Sequence, residues 1–197
     1  AQQESGAASP TLEKIYQVAR SITRSMDEIV WAVNPRHDNS ESFAYYLSNY
    51  ARAFLEAAGV RCRIESPPTL PDAVLTSQTR HHLFLSCKET LHNVVKHANA
   101  TVVTIRLSVE ANRLVVVIAD DGRGLGAEAR ASDGPDSHAS SGNGLRNMRQ
   151  RMNEIDGTCS VVSGPEGGTV VAFSVPLLPP FPAEPLDPPT ASPTPTR

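Results

Sequence analysis

ETLHNVVKHANA, residues 89–100, closes a stretch from Thr76 to Ala98 that carries two stripes at once. Phe84, Cys87, Leu91, Val94 and Ala98 step by three and four, the spacing of one apolar helix face. His82, Ser86, Glu89, Asn93 and His97 step the same way on roughly the opposite side, with Lys96 beside them. A solvated polar face is the ordinary reading of such a stripe. A carboxylate, an amide and a cation spaced a turn apart could also hold a hydrated Mg²⁺ and the oxygens of a phosphate chain, because Mg²⁺ keeps most of its waters and takes few oxygen ligands from protein.

Downstream, TVVTIRLSV (101–109) and RLVVVIAD (113–120) read as two strands joined by a Glu110-Ala111-Asn112 turn. The second ends in Asp120-Asp121-Gly122-Arg123-Gly124. A carboxylate leaving a sheet edge can accept a hydrogen bond from an exocyclic amine, and glycines let a ring lie close to backbone; Asp and Gly also simply end strands in turns. Residues 122–144 hold six of the chain's 12 glycines and no hydrophobic period, which predicts a long mobile loop. Ser141-Gly142-Asn143-Gly144-Leu145 then leads into a helix over about 145–155, and backbone N–H groups at a helix start attract anions. Arg146, Arg149 and Arg151 add positive charge there or form a solvated basic face. A last strand pair, 158–164 and 168–177, is joined by a tight Pro-Glu-Gly turn, with Gly167-Gly168-Thr169 at its far side.

Upstream, Leu12, Ala19, Met26 and Val33 repeat every seven residues, as do Ile15, Ile22 and Ile29 at an offset of three. That is the seam of a helix packed along another helix. Asn34-Pro35 stops it, since the residue before proline avoids the helical region. A second helix is expected over about 40–58, closed by Gly59, followed by a strand at 60–65. The organisation is a disordered leader (1–10), a helical stalk (11–58), an α+β domain (59–178) and a disordered tail (179–197) holding half of the 16 prolines. The chain begins at Ala1 without Met and reads as a fragment or processed chain.

Composition narrows the function. The 197 residues are 40% apolar and 20% charged, with a net charge of −3, which argues against nucleic-acid binding driven by bulk positive charge. The longest pure apolar run, Leu114 to Ala119, is far too short to span a bilayer, so no membrane contact by this segment is expected. Cys62, Cys87 and Cys159 lie far apart, without metal-type spacing, and Cys87 belongs to the apolar face. No H-E-x-x-H or G-x-S-x-G occurs, which leaves zinc-protease and hydrolase readings without support.

The motifs in series are more specific than any one of them. A polar-stripe helix, D-x-G-x-G, a glycine-rich loop, G-x-G-L with a helix, and G-T on a strand resemble the N, G1, G2 and G3 boxes of the ATP-binding domain shared by gyrase, Hsp90, sensor histidine kinases and MutL. E-x-x-x-N-x-x-K-H-A (89–98), GNGLRNMRQRM (142–152) and MDEIVWAVNPRHD (26–38) resemble the nitrate-sensor and DesK-like branch of sensor histidine kinases. The resemblance spans about residues 11–177 and implies a two-layer α/β sandwich of the Bergerat (GHKL) type, with 11–58 holding the second helix of the dimerisation bundle.

The resemblance also implies residue roles. Asn93 would coordinate the Mg²⁺ that bridges the phosphates, Glu89 would position or activate near the γ-phosphate, and Lys96 and His97 would face the phosphate chain. Asp120 would bond the adenine amino group, with Gly122 and Gly124 making room beneath the ring, and Thr169 would support that carboxylate through water. Gly142, Gly144 and Leu145 belong to the segment that would close over the triphosphate. With no Walker A loop, ATP would be held by that segment and Mg²⁺.

The implied activity is transfer of the γ-phosphoryl group of Mg-ATP to a histidine on a dimerisation helix, and from there to a response regulator receiver domain. The implied setting is a homodimer in the full-length protein, in the cytoplasm, as part of a membrane-bound sensor. One departure stands out: the six histidines leave no phosphoacceptor on a helical stalk, because His37-Asp38 follows Asn34-Pro35. Two other readings stay open, a non-catalytic ATP-gated interaction module and a serine kinase of the anti-sigma type. The heptads of 12–33 count against the latter.

Overall fold

In the computed structural model the described residues are 34, 37–71, 73–124, 143–165 and 167–179, with isolated positions 14, 15, 18, 19, 26, 30 and 31. The expected leader, the tail from residue 180 on, the loop residues 125–142 and most of the stalk seam lie outside them.

Helix α1 spans Ser40–Ala57. Asn39 caps it by accepting the Ser42 N–H at 2.7 Å, and Glu41 places a negative charge in its first turn. Its face of Phe43, Leu47, Ala51 and Leu55 is wholly buried. Gly59, at φ +73°, turns the chain out of the helix into strand β1, Arg61–Glu65.

Helix α2 covers Ser77–Asn93, with Thr76 accepting the Thr79 N–H as its cap, and widens into a π-turn at Val94–Ala98. The expected helix over 76–98 is therefore continuous but changes its winding where the Lys96 and His97 motif sits. Strands β2, Val102–Glu110, and β3, Arg113–Asp120, form the expected hairpin, with Ala111 and Asn112 both at positive φ. Helix α3 is Asn143–Asn153, two residues earlier at its start than its pattern predicts. Strands β4, Thr158–Ser163, and β5, Thr169–Pro176, complete the sheet.

The sheet order is β1-β2-β3-β5-β4, with β1 parallel to β2 and every other pair antiparallel. Burial along the strands alternates. Val103, Ile105 and Leu107 of β2, Leu114, Val116 and Ile118 of β3, and Val171, Phe173 and Val175 of β5 point to the core. Phe84, Cys87, Leu91, Val94 and Ala98 meet them from the helix side, as their spacing predicts. Helices on one face of a mostly antiparallel sheet make the two-layer α+β arrangement.

Candidate nucleotide site

Strand parity decides where the carboxylates of the D-x-G-x-G loop go. Asp120 shares its parity with Leu114, Val116 and Ile118, so its side chain leaves the sheet on the helix side and is only 9% exposed. One carboxylate oxygen accepts the Gly122 N–H at 2.9 Å. The β3–β5 ladder runs to Ala119 opposite Val170, so the next position along sets Thr169 beside Asp120. Gly168 lies against the Asp120 backbone: a Cβ there would collide with the Asp120 carbonyl oxygen and sit 3.1 Å from its Oδ1, and its φ is +72°.

Asp121 has opposite parity and a different occupation. Its carboxylate accepts the Thr101 N–H at 2.8 Å, the Thr101 hydroxyl at 2.6 Å and the Val102 N–H at 2.9 Å. Those bonds, the Thr101 hydroxyl foremost, hold its pKa below the usual carboxylate range. It pins the start of β2 to the end of β3. Sequence reading gave it no role, although an Asp-Asp pair at a strand end, facing a Thr at the start of the neighbouring strand, was the available signal.

The glycines of the loop serve the backbone first. A Cβ on Gly122 would run into the Ala98 carbonyl oxygen, which also accepts the Arg123 N–H at 2.9 Å. A Cβ on Gly124, at φ +74°, would lie 2.9 Å from the Gly168 carbonyl oxygen. The loop is thus pressed between the π-turn that ends the long helix and the glycine pair that opens β5. The π-turn presents the Ala98 carbonyl to it, and such local widening recurs at functional sites.

Further back along the long helix, Glu89 and Asn93 stand one turn apart on α2 and are half-buried. Both face the start of α3: a Cβ on Gly144 would lie 2.6 Å from Glu89 Oε1 and 3.7 Å from Asn93 Nδ2. The bare α-carbon of Gly144 leaves these side chains their space. Lys96 and His97 project from the π-turn and are exposed, and Leu145 packs half-buried on the core. Gly142 lies outside the described residues.

Two members of the polar stripe belong elsewhere. Ser86 is wholly buried, its hydroxyl donating to the His82 carbonyl at 2.9 Å, one turn back on the helix. His82 lies against the far end of α3, with Nδ1 3.2 Å from the Arg151 carbonyl and 3.4 Å from Glu154 Oε2. The part of the stripe left to meet the start of α3 is shorter than the sequence pattern and begins at Glu89. Burial raises the pKa of all three cysteine thiols, Cys159 to about 11, so none is activated as a nucleophile. An open groove of ≈ 600 Å³ lies at the β1 edge, lined by Arg52, Glu56, Arg61 and Thr101 among others, and includes none of the motif residues.

The donor set suits Mg-ATP. A carboxylate and an amide one turn apart offer the hard oxygen ligands that Mg²⁺ takes, and Asp120 offers an acceptor for an exocyclic amine. Among the described residues no group of three or more His, Cys, Asp or Glu side chains could hold a metal by itself, so phosphate oxygens and water would complete the coordination. No helix among the described residues is long and apolar enough to cross a membrane.

The chain is similar in sequence to the signal transduction histidine-protein kinase/phosphatase UhpB of Salmonella typhimurium, at 29% identity over 174 residues covering 88% of this chain and 32% of UhpB. It is 30% identical over 110 residues to the sensor histidine kinase LiaS of Bacillus subtilis, covering 56% of this chain and 28% of LiaS. The chain thus spans about a third of the length of these curated relatives. Its fold is similar to the histidine kinase domain of the Erythrobacter litoralis EL346 blue-light activated histidine kinase, with a TM-score of 0.57 at 22% identity over 88% of this chain and 77% of that one. It is also similar to the histidine kinase AdeS of Acinetobacter baumannii, with a TM-score of 0.56 at 12% identity over 88% of each chain. The family model described as "Histidine kinase-, DNA gyrase B-, and HSP90-like ATPase" matches residues 78–179, from the first turn of α2 past the end of β5, and the chain belongs to that family.

Proposed function

We propose that this chain is the ATP-binding catalytic part of a two-component sensor histidine kinase, acting on a histidine carried by a dimerisation helix outside the chain. The observations that carry the reading are two unlike polar groups, one on the helix-facing side of the sheet and one on the long helix. Asp120 is buried on the helix side of the sheet, and Glu89 and Asn93 meet the glycine start of α3. The relatives named as histidine kinases support the same reading.

In this proposal Asp120 accepts a hydrogen bond from the adenine amino group, and Thr169, next to it across β3 and β5, orders the water between them. Asn93 supplies the amide oxygen to Mg²⁺. Glu89 holds a proton-accepting oxygen near the γ-phosphate, and Lys96 and His97, exposed on the π-turn, face the phosphate chain. When bound, Mg²⁺ supplies charge neutralisation between phosphate oxygens. The protein's own contribution is position: a purine gripped at the sheet end fixes where the last phosphate lies. A receiver domain of a response regulator is the proposed final acceptor.

Described His37 lies beyond the stalk helix, half-buried with its ring stacked near Trp31 at 6.3 Å, which is no exposed acceptor on a rigid helix. The test therefore supplies the acceptor. Incubating the chain with labelled ATP and a separate first dimerisation helix bearing the histidine should give acid-labile, base-stable phosphate on that helix. Nucleotide binding without any such transfer would favour the ATP-gated interaction module instead.

A further inference from the structure

The chain leaving the stalk is fastened to the ATP-binding domain through an arginine that the nucleotide cleft does not use. Arg80 sits in the first turn of α2 and is wholly buried. Its Nη1 donates to the Trp31 carbonyl at 3.2 Å, and its Nη2 donates to the Asn34 carbonyl at 3.1 Å and to Asp38 Oδ1 at 2.6 Å. The guanidinium carbon lies 5.1 Å from the centre of the Trp31 ring. That ring in turn stacks on Tyr46 at 3.8 Å with a 6° tilt and leans on Phe84 at 5.9 Å. These partners of the guanidinium stand 42 to 49 positions upstream, in the stalk's last turn and its exit.

The chemistry is that of a helix cap supplied from another element. Carbonyls at a helix C-terminus carry partial negative charge, and a planar guanidinium can serve two of them and a carboxylate at once. Burying a charge in this way is a poor source of stability, because desolvation offsets much of the attraction, but such networks can specify one geometry. Glu89 and Asn93 follow on the same helix about 14 and 20 Å further along, so whatever fixes the start of α2 to the stalk fixes their heading as well.

We infer that Arg80 is a positioning residue, holding the stalk exit and α2 in one orientation and so setting where the nucleotide cleft faces relative to the stalk. Its meaning for phosphoryl transfer rests on the kinase reading; the fastening itself does not.

Trp31 is the chain's single tryptophan and reports on the clamp directly. The test compares the full chain with Arg80→Gln, Arg80→Lys and Asp38→Asn by acrylamide quenching of Trp31 emission and by ADP affinity. Arg80→Gln is expected to red-shift the emission and raise quenching severalfold. Arg80→Lys, which keeps the charge but not the fork, should rescue it only in part, and Asp38→Asn should give a smaller change in the same direction. ADP affinity in Asp38→Asn should change by less than about threefold, below the tenfold that 1.4 kcal/mol represents. Unchanged quenching in Arg80→Gln and Asp38→Asn would overturn the inference. So would Arg80→Gln losing ADP binding while Asp38→Asn leaves Trp31 as shielded as in the parent, since Arg80 would then serve the domain's fold alone. A parent chain that binds no ADP would refute the nucleotide reading and leave quenching to decide the clamp.

Discussion

Asp120 and Asp121 are adjacent, of one residue type, at the end of one strand, and they do opposite work. Asp120 is buried on the helix side of the sheet, and among the described residues its side chain accepts one bond, from the Gly122 N–H, which leaves acceptor capacity unused there. Asp121 is exposed, yet three donors from Thr101 and Val102 occupy it. Exposure therefore goes with the carboxylate whose bonds are internal, and burial with the one proposed to meet a ligand. The cause is the two-residue period of β3, which sends neighbouring side chains to opposite faces.

The largest test of that contrast is Asp120→Asn. The amide keeps an oxygen for Gly122 but replaces the other acceptor with a donor. A hydrogen bond to a charged group is worth about 1.5–3 kcal/mol, so nucleotide affinity should fall roughly ten- to hundredfold or below detection. The thermal midpoint should barely move. Calorimetric titration with ADP that returns the parent's affinity would remove Asp120 from the adenine role.

Gly168→Ala attacks the Asp120 side of the comparison through its backbone. Its Cβ would meet the Asp120 carbonyl oxygen, and its φ of +72° is one that a side chain strains. A loss of roughly 1–3 kcal/mol of stability is expected, together with weaker nucleotide binding, because the backbone that carries Asp120 must shift. Denaturant unfolding and ADP titration on the same sample check both. Full stability would show that the loop has room to yield.

These two residues also show what could be read from sequence. Alternation in β2, β3 and β5 and the apolar steps from Phe84 to Ala98 follow from local periodicity, and the structure places them as expected. The series of boxes singled out Asp120, Glu89 and Asn93, whose roles remain proposals. Ser86 was misread because a serine in a helix can satisfy its hydroxyl on the carbonyl four residues back and be buried while still fitting a polar stripe. The roles of Asp121 and Arg80 depend on partners 19 to 49 positions away, and the parallel pairing of β1 with β2 depends on a crossover through α2. No local pattern records such distances.

Asn93→Ala probes the phosphate end, which the aspartate pair does not reach. Adenosine affinity should stay at the parent value, while the tightening of ATP binding by Mg²⁺ should fall by about tenfold or more. Titrations with and without Mg²⁺ separate the two. An undiminished Mg²⁺ effect would take the metal-ligand role away from Asn93 and leave Glu89 as the remaining oxygen donor on that turn.

The smallest effect belongs to Asp121→Asn, and its sign with pH is what gives it value. The folded pKa of Asp121 is depressed by the Thr101 hydroxyl and the Val102 N–H. Its ionised form therefore adds stability that is fully present above the unfolded value of about 3.9 and is lost as the pH falls through the folded pKa. Because the group is exposed, solvent screens the gain and the difference at neutral pH should be modest. The gap in thermal midpoint between parent and variant should be widest near neutrality and shrink on acidification below about pH 4, with ADP affinity at neutral pH unchanged. A gap that stayed constant with pH would mean that the three bonds do not depend on the charge. A loss of ADP binding would mean that the division of labour between the two aspartates is wrong.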